Sequence, residues 1–79
     1  MYNRDAQDMA KTIWLNIAKE VKSQGLIIKS FCDQAEISES VYYKHIRGAK
    51  RNDVLPDTKM DEIDNICRVL NRPLSSFMN

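Results

Sequence analysis

Seventy-nine residues make one domain or part of one, which excludes two domains and leaves little interior for a deep catalytic cleft. Hydrophobic residues at 43% and charged residues at 29% exclude a disordered chain. Twelve Lys and Arg against eleven Asp and Glu give a formal net charge of +1, so the total charge by itself points to no partner.

Two glycines and two prolines supply too little turn chemistry for an all-β fold, and helices are expected. Residues 1–8 are polar and read as frayed or only partly helical. From Met9 to Gln24, the residues Ala10, Ile13, Trp14, Ile17, Ala18 and Val21 recur at spacings of three and four. This predicts one amphipathic helix with Trp14 in its buried stripe. Gly25 stands where a left-handed residue closes a helix. Phe31, Cys32 and Ala35 predict a short second helix over 29–35. Ser38 offers an N-cap for a third, on which Val41, Tyr42, His45 and Ile46 share an apolar face and Ser40, Tyr43, Lys44 and Arg47 the opposite one. Gly48 is its expected stop.

Residues 49–57, AKRNDVLPD, read as a loop with Val54 or Leu55 turned inward. Pro56 ends the loop, and Asp57 or Thr58 is the expected cap of a fourth helix carrying Met60, Ile63, Ile66, Cys67 and Leu70 on one stripe. Asn71 marks its end. Pro73 suits the first turn of a short fifth helix containing Leu74, Phe77 and Met78.

Charge is unevenly distributed along this series. Val41 to Arg51 holds Lys44, Arg47, Lys50 and Arg51 with no acid, whereas Asp53 to Asp64 holds five acids against Lys59. Either the first stretch is built to meet an anion, or the two solvated segments pair with each other. Cys32 and Cys67, with a single histidine, have no zinc-ligand spacing and read as free, inert thiols. No apolar leader or long apolar run is present, so a soluble, cytoplasmic protein without membrane contact is expected. No acid–base pair, activated nucleophile, phosphate loop or metal cluster is legible, so neither an enzyme nor a metal or cofactor is expected.

Two short helices with a tight connection, the second basic on its outer face, meet the requirement of a helix-turn-helix, whose second helix enters the major groove of DNA. The segment FCDQAEISESVYYKHIRGAKR, followed by a helix ending ICRVL and then NRPLSSFM, resembles the lambda-repressor-like (Cro and phage-repressor, XRE-type) family over about Ile17 to Met78. The resemblance implies an all-α, five-helix domain with its recognition helix at about 39–47. It implies contacts to bases and phosphates from Glu39, Ser40, Tyr43, Lys44 and Arg47, with Lys50 and Arg51 beyond the helix. Where the family carries a capping Ser or Thr and a DNA-contacting glutamine, this chain has Ile27 and Ile28, which moves the expected contact to Lys29 or Ser30. Glu36 stands where glycine is typical of the turn.

The chemistry of each residue suits these roles. Arg47 can grip guanine bidentately, and Lys44 suits phosphate. Tyr43 offers its ring to a thymine methyl or its hydroxyl to a phosphate, and Ser40 is small enough for close approach. Glu39 either accepts from cytosine N4 or stabilises the helix N-terminus by its charge. His45 points inward by periodicity and reads as a satisfied packing residue. The expected function is sequence-specific binding of a double-stranded operator by a transcriptional regulator, either a complete Cro-like protein or the N-terminal domain of a longer repressor. The alternative is a protein-interaction module on the same fold, an antitoxin or antirepressor. A two-fold homodimer is expected, in solution or only on DNA, and Leu74, Phe77 and Met78 read either as its interface or as a cap on the core.

Overall fold

The spacing of Trp14, Ile17 and Val21 is realised as one face of a long helix that sinks all three side chains into the core. The computed structural model describes residues 4–78. In it, α1 spans Arg4–Ser23, α2 Ile28–Gln34, α3 Glu39–Arg51 and α4 Met60–Leu70, followed by a 3-10 turn at Leu74–Phe77. The fold is all-α, with no strand among the described residues. Among the described residues there are four α-helices rather than five, because the segment after Pro73 closes as a single 3-10 turn.

The ends of the helices differ from the sequence expectations in instructive ways. Residues 4–8 are helical, with Asp5 in the favourable first turn and Gln7 tied to distant backbone; residues 1–3 of the segment expected to fray lie outside the described residues. Helix α3 passes through Gly48 and stops only at Arg51, so Lys50 and Arg51 form its last turn instead of following it. Glycine serves there for space, since a Cβ at Gly48 would stand 2.6 Å from Leu55 Cδ2. Neither Asp57 nor Thr58 caps α4, which starts from Lys59 without a side-chain cap. The Thr58 hydroxyl accepts a hydrogen bond from Trp14 Nε1 instead, at 3.2 Å.

All four helices close alike. A left-handed residue stands one or two positions past each helix end (Gly25 and Glu36 two past, Asn52 and Asn71 one past), and the next amide donates to the carbonyl five positions back, as Leu26 N does to Val21 O and Ile37 N to Cys32 O. Glycine and asparagine adopt this conformation readily. Glu36, at φ 57°, carries the steric cost of a Cβ, on the order of 1 kcal/mol.

Helix α1 packs mainly on α3. Trp14 stacks on His45 with ring centroids 4.4 Å apart and meets Tyr42 edge-on, and Tyr42 in turn meets Phe31 edge-on. His45 Nδ1 lies 2.8 Å from the Val41 carbonyl, which requires that this nitrogen carry the proton and donate. His45 is therefore only half satisfied, because its buried Nε2 has no partner among the described residues. Val41, expected on the apolar face, is exposed at the margin of the buried stripe formed by Tyr42, His45, Ile46 and Ala49. Met60 is likewise exposed at the first position of α4. Leu55 is the loop residue that turns inward, and Val54 faces solvent.

Polar side chains of α1 fasten segments far along the chain. Gln7 Oε1 accepts from Leu55 N at 2.8 Å, Lys11 Nζ donates to Asn52 Oδ1 at 2.9 Å, Asn16 Nδ2 to Phe77 O at 2.8 Å, and Gln24 Nε2 to Leu70 O at 2.8 Å. The expected dimer patch is changed by this docking. Phe77 is 2% exposed and belongs to the core, Leu74 is half-buried, and only Met78 is open to solvent.

Candidate nucleic-acid interface

The Ser38 hydroxyl accepts from Val41 N at 3.1 Å, satisfying one of the free amides that open α3 and fixing where its outer face begins. Glu39 places an acid in that first turn, and Lys50 and Arg51 place cations in the last, both favourable to the helix dipole. Tyr42, His45, Ile46 and Ala49 anchor the inner face, so the residues between them are turned out. Lys29, Ser30, Glu39, Ser40, Tyr43, Lys44, Arg47, Lys50 and Arg51 are all exposed.

The nine residues fall into three neighbouring concavities. Ser40, Tyr43, Lys44, Arg47 and Arg51 form one wall of a cleft of about 680 Å³ whose other wall is the segment Asp53–Pro56. Lys29, Ser30 and Glu39 border a second hollow, between α2 and the start of α3. Lys50 lies on the far side of α3, along an apolar groove that Tyr43 and Arg47 also line. Tyr43 and Arg47 thus form the ridge between cleft and groove. The Tyr43 ring is held by an edge contact to Tyr42, with centroids 5.7 Å apart, and remains 41% exposed.

Among the described residues no ion pair joins the basic stretch to the acidic one. Among the described residues none of Lys44, Arg47, Lys50 and Arg51 is ion-paired; the ion pair present joins Arg72 Nε to Glu20 Oε2 at 3.5 Å, away from this face. Asp53 is the one acid lining the cleft, opposite three cations. The cleft wall formed by Asp53, Val54 and Pro56 was not legible as part of a site. The loop sequence carries no periodicity, and its position depends on Leu55 being drawn under Gly48 and Gln7.

Behind the face, burial governs the titratable groups. Burial, with the nearby Glu39 charge, pushes the Cys32 thiol from 9.0 up to about 11, and burial with Cys32 and Tyr43 pushes the Tyr42 phenol from 10.0 up to about 12. Burial and Asp64 also raise the Cys67 thiol. Both cysteines are free. Among the described residues no group of His, Cys, Asp and Glu side chains is arranged to hold a metal ion, and no helix is long and apolar enough to cross a membrane. No family model, curated protein or solved structure matches the chain.

Proposed function

We propose that this protein is a sequence-specific regulator that binds double-stranded operator DNA through a helix-turn-helix formed by α2 and α3, in the manner of Cro and phage-repressor domains. The observation that carries this reading is the outer face of α3, where four cations stand exposed and unpaired on a helix whose opposite side is locked into the core. Unpaired surface cations on a rigid element are what neutralisation of phosphate requires. A capped N-terminus that presents small and hydrogen-bonding side chains suits entry into the major groove.

In this mechanism α2 crosses the sugar–phosphate backbone, with Lys29 and Ser30 at phosphates. Helix α3 lies in the groove with Glu39, Ser40 and Tyr43 toward base edges. Arg47 grips guanine, while Lys44, Lys50 and Arg51 hold phosphates on either side. Two copies related by a two-fold axis read half-sites about one helical turn apart, because a single short helix reads too few base pairs for useful specificity.

Substitution separates the roles. Lys50→Ala is expected to weaken preferred and unrelated duplexes alike, whereas Arg47→Ala costs about 1–3 kcal/mol on the preferred site and relaxes its sequence preference. Competition binding against a site selected from random DNA reads both effects. Equal losses on all sequences for both variants would make Arg47 a phosphate contact and remove the proposed base reader.

A further inference from the structure

The groove on the far side of α3 differs in character from the cleft. Val21 near the end of α1, Leu26 in the connection, Ile28 at the start of α2, and Tyr42 and Ile46 on α3 line a hollow of about 440 Å³. That size lies within the roughly 300–1,000 Å³ of small-molecule sites, which are mainly apolar with a few polar groups to fix orientation. The polar groups here are of one sign. Lys22, Arg47 and Lys50 stand at the groove, and no carboxylate lines it. Among the described residues none of the three is ion-paired.

Apolar walls beneath a rim of unpaired cations specify a ligand with a hydrocarbon body and a carboxylate head. We propose that this groove binds a small apolar carboxylate, a medium-chain fatty acid or an arylalkanoic acid, and that its occupancy opposes DNA binding by engaging Arg47 and Lys50. The hydrocarbon leaves water against Val21, Leu26, Ile28 and Ile46, and the head is held among the three cations. The regulatory half of the proposal rests on the DNA-binding reading given above. Tyr43 and Arg47 line both concavities, so a carboxylate that holds the Arg47 guanidinium takes it from the base edge. Linkage makes the effect reciprocal, and DNA weakens the ligand by the same factor.

The test titrates the full chain with decanoate, with decanol as the neutral control, and follows residue-resolved NMR shifts in the absence of DNA. Saturable shifts confined to residues of the groove are expected, with decanol weaker by about threefold or more, the value of an exposed charge pair. Lys22→Glu, a change outside the proposed DNA contacts, should weaken decanoate while preserving the spectrum of the fold. Decanol binding as well as decanoate, shifts outside the groove, or no saturation would overturn the proposal. Tighter occupation of the same residues by a Glu- and Leu-rich helical peptide would also overturn it, giving the groove to a protein partner.

A second measurement adds saturating decanoate to the protein–duplex complex. A loss of DNA affinity of about fivefold or more is expected, and a smaller loss in Lys22→Glu. Unchanged DNA affinity with the groove filled would overturn the regulatory half. Failure of the protein to bind any duplex in the absence of decanoate would instead count against the DNA-binding reading, and the NMR titration would still decide the groove.

Discussion

Glu36 is the residue where the turn between α2 and α3 sets conformation against side-chain chemistry. It is left-handed at φ 57° and exposed, so its Cβ brings strain, and among the described residues its side chain makes no hydrogen bond or ion pair that would offset this. Glu36→Gly is expected to raise stability by about 0.5–1 kcal/mol, less than the full strain because glycine also frees the unfolded chain. Urea unfolding with an unchanged slope checks it, and a loss of stability would contradict it. The Cys32 thiol on α2 and the Tyr42 phenol on the inner face of α3 give a second expectation. Cys32 and Tyr42 ionise at about 11 and about 12 when folded, against 9.0 and 10.0 for their ordinary values. The unfolded chain therefore releases these protons first, so both contributions are complete below pH 9 and fall away as pH rises through about 11 and about 12. Stability measured across that range should decline, and Cys32→Ala should flatten the first part of the decline. An unchanged profile in the variant would remove Cys32 as its source.

At the scale of elements, α1 acts as a spine whose apolar stripe builds the core and whose polar side chains fasten the loops. The stripe was legible because Trp14, Ile17 and Val21 repeat with the helical period, and the outer face of α3 was legible for the same reason. The fastening was not. Gln7 and Lys11 look like ordinary surface residues until the chain brings Leu55 and Asn52, 48 and 41 positions away, within hydrogen-bond distance. Gly48 departs from the local rule for a related reason. Local rules make glycine a helix stop, and only the packing of Leu55 shows that space was the requirement. The absent caps on α2 and α4 belong here too, since Ile27 and Lys59 begin helices that tertiary packing holds. Gln7→Ala leaves the Leu55 amide without its acceptor and should cost about 1–3 kcal/mol. Hydrogen exchange should quicken at Leu55 and its neighbours before it does in α4. A loss spread evenly over the chain would mean that Gln7 does not hold the cleft wall in particular.

For the molecule as a whole, an almost neutral chain presents a locally cationic face, because the acids of 53–64 leave the cations of α3 unpaired. Such a face attracts a polyanion over a short range and does so less as salt rises. Its core residues also limit how copies can associate. With Phe77 buried, the segment 74–78 leaves half-buried Leu74 and exposed Met78 as the apolar surface it offers, a small patch for an interface between copies. The most direct measurement is equilibrium binding to duplex DNA across a series of salt concentrations, on a site selected from random sequence. Two chains per site are expected, with an affinity that falls with a log–log slope of about −4 or steeper, as several lysines and arginines displace phosphate counterions. Absence of duplex binding at low salt, or binding indifferent to salt, would contradict it.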